Sequence, residues 1–401
     1  MAKPYPYFVS LNDAKEICFG TKIKLKSELI NLDNALNRII SQDVIAIVND
    51  PPFDNSSMDG FAVIFDDTKL APVTLDIIGT SNAGSGDNLQ LTSGKCVRIM
   101  TGAPIPLGAD SIIPVEMCQI DNQKVTLNEI SKPHFIRKKG ENFNAGDVLF
   151  HSGEKLTPEK ISLCAAAGVN ELLVYCKLNI AVISTGDELK KPGSMLDFGE
   201  IYESNSYGIS ALIQSIGYNS NRFPLVIDDI NELRKTLDEA AQSNDLIITS
   251  GGVSMGERDF VRILMEKEGE INFWRVKIRP GSPPIFGLWK QTPIFGLPGN
   301  PVSSHVVFRI LVAPFLANLT NTKSSNERII YATLANDIKT VEGFTTFRRV
   351  ELIDDENTIF ARLKSHQGSG NIAGIAMSDG LTILGPNSKG KKGETCKILL
   401  L

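Results

Sequence analysis

Residues 178–186 read LNIAVISTG, residues 245–252 read DLIITSGG, and residues 294–301 read IFGLPGNP. Each is a continuous apolar run, rich in β-branched residues, that stops at glycine. Runs with no polar face belong to strands buried on both sides rather than to a half-wet sheet. Between them, NSYGISALIQSI (205–216) reads as a helix with Asn205 as cap and Gly217 as stop, and NELRKTLDEAAQ (231–242) as a charged amphipathic helix. Residues 258–268 and 302–319 are predicted helical, and SNRFPLVI (220–227) adds a further strand. Strands alternating with helices predict a mostly parallel sheet covered on both faces, a central three-layer α/β domain over residues 177–326.

The grammar differs on either side. Residues 10–48 are predicted helical: Ser10 caps LNDAKE, and Leu32, Leu36, Ile39 and Ile40 keep a helical spacing until Pro51-Pro52 stops it. TPEKISLCAAAG (157–168) resumes a helix, with Thr157 as cap and Pro158 in its first turn. Between these pieces lie short β runs (Val73–Ile78, Cys96–Met100, Ser111–Val115, Lys124–Leu127) separated by Gly, Pro, Asn and Asp. The pattern predicts a small β domain, 49–148, inserted into a discontinuous helical linking domain made of 1–48 and 149–176. From 327 to 401, short alternating runs (RIIYATLA, FRRVEL, IFARL, GLTILG, CKILLL) predict a C-terminal β-barrel domain.

Composition narrows the function classes. The 401 residues carry 41 Lys+Arg against 46 Asp+Glu, a formal charge of −5, so no broad basic footprint for nucleic acid is expected. Cysteines 18, 96, 118, 164, 176 and 396 form no C-x-x-C, and with only four His a zinc cage or disulfide framework is not expected. They read as core thiols of a reducing cytosol. MAKPYPYFVS lacks the apolar segment of a signal peptide, and the most apolar stretch, His305–Leu319, contains Arg309 and Pro314. A cytoplasmic chain without a membrane partner is the expectation. The 33 Gly and 20 Pro sit in short clusters that shape turns.

In an open α/β sheet, ligands bind outside the carboxyl ends of the strands. Three such ends carry glycine loops here: Thr185-Gly186-Asp187-Glu188, Ser250-Gly251-Gly252-Val253-Ser254 and Pro298-Gly299-Asn300-Pro301. None matches the phosphate loop of nucleotide hydrolases or the dinucleotide fingerprint. Carboxylates gather on the same side: Asp187 and Glu188, Asp228 and Asp229, Glu257 and Asp259. Mg²⁺ prefers a few carboxylates completed by phosphate oxygens and water. In Trp274–Gly281 (WRVKIRPG), strand alternation would put Arg275, Lys277 and Arg279 on one face. That face is either an edge guarded by cations or, with the following PGSPP turn, an anion pocket. PPFDNSSMDG (51–60) and RIMTGAPIP (98–106) read as tight turns with side-chain caps.

Across residues 51–370 the motifs PPFDNSSMDGFAV, RIMTGAPIPLGADSIIPVE, GENFNAGDV, ISTGDEL, IYESN, TSGGVSMGERDF, FGLPGNPVS and HQGSG resemble the MoeA family of molybdopterin molybdenumtransferases, which includes the E domain of gephyrin and its plant counterpart. The resemblance implies a four-domain layout and the last step of molybdenum-cofactor synthesis. In that step adenylylated molybdopterin and molybdate give molybdenum cofactor and AMP with Mg²⁺. Carried over motif by motif, Asp59 and Thr101 would reach the active-site cleft from the β domain. Glu188, Asp228 and Asp259 would be its catalytic carboxylates and metal ligands. Gly251, Gly252 and Ser254 would line a nucleotide or pterin phosphate region, and Pro298 and Pro301 the cleft wall. Arg275, Arg279, Ser282, Ser303, Arg349 and Ser369 match positions associated with anion or molybdate binding. An elongated homodimer with sites across the interface is implied, with transient contact to upstream molybdopterin enzymes and apo-molybdoenzymes.

Three motifs depart from the family pattern. Its K-P-G-K-P appears as Arg279-Pro280-Gly281-Ser282-Pro283, which removes a cation at 282; Arg275 stands where Lys is common; and its G-E-D appears as Gly140-Glu141-Asn142. Two other functions compete. A pterin adenylyltransferase or nucleotide-pyrophosphate hydrolase would share the α/β domain, and a non-catalytic scaffold would follow gephyrin's receptor-clustering role. The regions outside the α/β domain count against the first, and the absence of a fused linker and domain in these residues against the second.

Overall fold

In the computed structural model, which describes residues 4–84, 89–322, 328–356, 358–364 and 366–401, the three apolar runs lie side by side as parallel strands. They centre a sheet of Tyr7–Val9 (β1), Asn179–Ser184 (β2), Asn219–Arg222 (β3), Leu246–Ser250 (β4), Glu270–Val276 (β5), Ile285–Trp289 (β6) and Thr292–Leu297 (β7). The spatial order is β1-β5-β6-β7-β4-β2-β3, and β6 alone runs against the rest.

The helices on the sheet are Leu11–Gly20 (α1), Asn205–Ser215 (α2), Ile230–Ser243 (α3), Phe260–Lys267 (α4) and Pro301–Leu319 (α5). Alternate strand residues enter opposite cores. Ile180, Val182, Leu246, Ile248 and Phe295 join the cluster containing residues of α1, α2 and α5; Ala181, Ile183, Ile247 and Ile294 join that of α3 and α4. This is why the runs show no polar alternation. Each such Ile or Leu contributes roughly 1.5–3 kcal/mol on burial.

Helix α5 is the one described helix long and apolar enough to cross a membrane, yet 67% of its apolar window is buried inside the protein. It is a core helix. Pro314 lies just after a π-turn at Phe308–Val312. Widening the helix there accommodates a residue that has no N–H to donate and would crowd the preceding turn.

The N-terminal reading needs correction. Helix α1 ends at Gly20, and the expected continuation to residue 48 is absent. Ser27–Asn31 instead pairs antiparallel with Glu171–Tyr175, a short 3₁₀ turn covers Leu32–Asn34, and Val44–Ile45 pairs with Val148–Phe150. Asn37 takes a left-handed φ of 64°, and Leu36 of the supposed apolar stripe is exposed. Ala35 and Ile40 are buried with Leu156, Cys164, Leu172 and Val174. Cross-strand packing therefore overrode a helical spacing that lacked a consistent buried side. The sequence reading also missed β1, a three-residue edge strand after Pro4 and Pro6, which joins the large sheet beside β5. At the other edge, β3 stops at Arg222 rather than 227, because Pro224 cannot donate to the ladder.

A six-stranded sheet holds Gly60–Val63, Val73–Ser81, Lys95–Ile99, Ser111–Pro114, Cys118–Asp121 and Lys124–Leu127. At Gly60 a Cβ would stand 2.1 Å from the Ile113 carbonyl oxygen, so only glycine lets these strands pair. Five strands, Ile329–Leu334, Arg349–Asp355, Thr358–Leu363, Gly380–Ile383 and Thr395–Leu400, close into a barrel. The expected boundary at 326/327 lies outside the described residues. All six cysteines are free, and burial pushes the Cys96 thiol up to about 12 and Cys396 to about 11, as suits unreactive core groups.

Candidate functional site

Parallel register brings three strand ends together: Ser184 faces Ser250, and Ser250 faces Leu297. The loops that follow are fastened to one another. The Thr185 N–H donates to the Ser250 carbonyl (3.3 Å) and the Gly251 N–H to that of Leu297 (3.1 Å). Gly251 has φ 98°, and a Cβ there would lie 2.9 Å from the Thr185 carbonyl oxygen. Asn205, at the start of α2, donates from Nδ2 to Ser250 Oγ and to the Gly299 carbonyl, both at 2.7 Å. One side chain thus ties the second and third loops.

Above these ends lies a cleft of about 710 Å³. Of the expected residues, Glu188, Asp228, Gly251, Gly252, Ser254, Asp259, Pro298 and Pro301 all line it. Asp228 Oδ1 accepts from Thr185 Oγ1 (3.1 Å), and its own N–H donates to Asp187 (2.9 Å). Asp259 accepts the Gly256 N–H. Glu203, in the IYESN motif but not singled out from sequence, also lines the cleft. It is 4% exposed and accepts from Ser184 Oγ (3.0 Å), the Ser206 N–H (2.6 Å) and Ser206 Oγ (2.7 Å). A carboxylate just before a helix cap was the available signal. Four carboxylates and one guanidinium, Arg258, make the cleft acidic. Among the described residues no three His, Cys, Asp or Glu side chains converge as metal ligands. Two half-buried carboxylates on one cleft do fit Mg²⁺ when phosphate oxygens supply the remaining ligands.

A second cavity of about 430 Å³ adjoins the first, sharing Ser254, Pro283, Pro298 and Asn300. Arg275, Arg279 and Arg348 line it together with Ser282, Ser303 and Ser369, and among the described residues no carboxylate does. Arg275 reaches Tyr7 Oη (3.2 Å) and stands over the Phe8 ring at 5.0 Å; Arg279 stands over Phe344 at 5.2 Å. An acidic cleft therefore abuts a basic cavity.

Several expectations change here. Val276 and Ile278 are fully buried while Arg275, Lys277 and Arg279 are not, as alternation predicts, but Lys277 falls between two strands, Glu270–Val276 and Ile278–Arg279, rather than within one. Arg275 has φ 69°, and its N–H and that of Val276 donate across a hairpin to the carbonyls of Pro284 (2.8 Å) and Ser282 (2.9 Å). Lys277 lines neither cavity. Arg349 is 1% exposed and lines neither; its Nη2 donates to the carbonyls of His366 (2.7 Å) and Gly368 (3.1 Å). Its neighbour Arg348, just before the strand, lines the cavity instead, which adjacency in the chain makes hard to read from sequence. Ser282 is 4% exposed, and its hydroxyl donates to the Val276 carbonyl (2.9 Å). Asn142 donates from Nδ2 to Asp50 (2.8 Å), where a carboxylate would face a carboxylate.

Asp59 and Thr101 meet each other but line neither cavity. Asp59 Oδ1 accepts both the Thr101 hydroxyl and its N–H at 2.7 Å. The hydroxyl first, then the N–H, hold the carboxyl below its ordinary range. A depressed carboxyl contributes stability above its unfolded pKa of 3.8 and loses it as pH falls through the folded value. Thr101→Val removes the larger cause and is expected to return the Asp59 pKa toward 3.8 in an NMR carboxyl titration. An unchanged titration would show that the hydroxyl does not govern this charge.

Comparison with known proteins places the chain in a family. Family models match three stretches: the MoeA N-terminal region (domain I and II) at 9–168, a probable molybdopterin binding domain at 181–318, and the MoeA C-terminal region (domain IV) at 331–401. Molybdopterin molybdenumtransferase of Haemophilus influenzae is 37% identical over 363 residues, 90% of each chain. That of Nostoc sp. is 31% identical over 397 residues, covering 95% of this chain and 91% of the relative. A crystal structure of the molybdopterin biosynthesis MoeA protein from Pyrococcus horikoshii superimposes with a TM-score of 0.82 at 30% identity, covering 98% of this chain and 99% of that one. With its glycine-loop cleft and its match along nearly the whole length, this chain belongs to the MoeA family of molybdopterin molybdenumtransferases, transferases of molybdenum cofactor biosynthesis.

Proposed function

We propose that this chain inserts molybdate into adenylylated molybdopterin, releasing molybdenum cofactor and AMP. The observation that carries this reading is the shared wall of Ser254, Pro283, Pro298 and Asn300 between an acidic, glycine-looped cleft and a cavity lined by three arginines. Two differently charged chambers suit a phosphate-bearing substrate with its metal on one side and an oxyanion on the other.

The chain's contribution is positional and electrostatic. The Gly251-Gly252 turn lets the backbone approach the substrate phosphates. Asp228, fixed by the Thr185 hydroxyl of the neighbouring loop, and Asp259, fixed by the Gly256 N–H of its own, would hold Mg²⁺. When bound, that ion would neutralise charge on the phosphate bridge. Arg275 and Arg279 would keep molybdate beside the pterin dithiolene at the shared wall, where the two sulfurs would displace one oxo ligand, which leaves with two protons as water; attack of water on the phosphate bridge would release AMP. Asp59 and Thr101 line neither cavity of their own chain, which favours a homodimer in which they complete the cleft of a second copy.

AMP release from adenylylated molybdopterin, with molybdate and tungstate titrated separately, tests the reaction. Oxyanion-dependent AMP release is expected, with none from ATP and unmodified molybdopterin. Product from the ATP pair instead would make the chain an adenylyltransferase.

A further inference from the structure

Glu203 lines the cleft, yet it is almost fully buried and both its carboxylate oxygens are already engaged. Oε1 accepts the Ser184 hydroxyl (3.0 Å) and the Ser206 N–H (2.6 Å), and Oε2 accepts the Ser206 hydroxyl (2.7 Å). All three donors are neutral. A buried charge is costly unless hydrogen-bonded, and here the carboxylate is held by its neighbours rather than offered to a metal. It also does the capping that Ser204 does not. The Ser206 N–H belongs to the first turn of α2, where an N–H has no partner within the helix, and the Ser204 side chain makes no capping bond.

The bonds of residues 201–206 reach all three strand ends. Ser184 closes β2, and the next residue, Thr185, holds Asp228 through its hydroxyl (3.1 Å). Asn205, two residues after Glu203, bonds Ser250 at the end of β4 and the Gly299 carbonyl in the loop after β7. The backbone fastens the same segment to the first loop: the Ile201 N–H donates to the Glu188 carbonyl and the Glu203 N–H to that of Lys190, both at 2.8 Å. Glu203 therefore anchors the helix start from which Asn205 reaches the second and third loops, and Ser184 carries its hold into the first.

We infer that Glu203 and Asn205 form a single clasp that sets the spacing of the three glycine loops, and that Glu203 is a positioning residue, acting through Ser184 and Ser206 without touching metal or substrate. The clasp is a statement about loop geometry; its effect on turnover rests on the reaction proposed above. Misplacing a reacting group by about 1 Å costs on the order of 100-fold in rate, so loosening the loops should slow turnover.

Amide hydrogen exchange and AMP release, both on the full chain, test the clasp. Glu203→Ala and Asn205→Ala are each expected to speed exchange at Gly251, Gly252, Gly299 and Asn300 by about 10-fold, the scale of losing one or two hydrogen bonds, while β4 and β7 stay protected. Each is also expected to lower kcat by about 10–100-fold with little change in KM. The double Ala variant should lose far less than the product of the two, as members of one unit do. Glu203→Gln keeps the pattern, its amide oxygen accepting from Ser184 and the Ser206 N–H and its amide nitrogen donating to the Ser206 hydroxyl. It is expected to keep wild-type exchange, kcat and half-saturating Mg²⁺. Unchanged exchange in both single Ala variants overturns the clasp, whatever the activity. Equal losses in Glu203→Gln and Glu203→Ala, with a raised Mg²⁺ requirement, would make Glu203 a metal ligand and overturn the positioning role. Losses that multiply in the double variant overturn the single unit. If Glu203→Ala does not fold, Ser184→Ala, which removes one bond, and Asn205→Ala decide by the same exchange readout. A wild-type chain that releases no AMP overturns the proposed reaction, and exchange alone then judges the clasp.

Discussion

Asp228→Ala and Asp259→Ala are each expected to lower AMP release by about 100-fold or more, the scale of removing one preorganised charge-stabilising group, with the fold retained. Both carboxylates are half-buried on the same cleft, on loops that leave neighbouring parts of the sheet edge. Each is also a local hydrogen-bond acceptor, from Thr185 Oγ1 and the Gly256 N–H respectively. Loss of that single bond would cost only about 1 kcal/mol of stability. The Asn variants separate charge from loop anchoring, because an amide oxygen still accepts the same bond. Asp228→Asn and Asp259→Asn should therefore be stable and nearly inactive. Full activity in both would remove the metal and charge role from these positions.

The second large effect concerns stability. Arg349→Ala should destabilise the C-terminal barrel by about 2–4 kcal/mol, since a buried side chain is truncated and carbonyls lose charged donors. Arg349 is among the largest fully buried side chains, and it joins Arg349–Asp355 to the His366–Ser369 loop. Gln367 strengthens the same link: its Oε1 accepts the Arg349 N–H (2.9 Å), and its Nε2 donates to the Arg349 carbonyl (3.0 Å). Urea denaturation followed by proteolysis at the 366–370 loop reads the effect. A change below about 0.5 kcal/mol, the scale of an ordinary surface substitution, would show that the buried guanidinium is dispensable.

The contrast between Arg348 and Arg349 shows where sequence reading reaches its limit. Arg349 opens the strand Arg349–Asp355 and Arg348 lies just before it, and the two side chains meet different surroundings. Which one meets the cavity depends on the barrel's register, set by pairs such as Arg349 with Leu381 and Val350 with Leu363. No local pattern carries that information. The same holds for Arg275, Lys277 and Arg279: alternation separated them from buried Val276 and Ile278, but only the fold shows that Arg275 and Arg279 line the cavity and Lys277 does not. Residues 27–46 failed for a related reason: their partners, Glu171–Tyr175 and Val148–Phe150, lie more than a hundred residues away.

What the sequence by itself determined is the part carried by local chemistry. Continuous apolar runs ending in glycine required doubly buried parallel strands, because no polar face was left for water. The glycine turns and clustered carboxylates then marked the carboxyl ends as the place where a ligand could meet backbone and charge. Only the tertiary structure decided how those ends combine: an acidic cleft beside a basic cavity, with Arg348 inside and Arg349 buried, and Asp59 bonded to Thr101 away from both. Charge position in a site is a property of long-range register and packing, and one residue of slip on a strand sends a side chain to the opposite face.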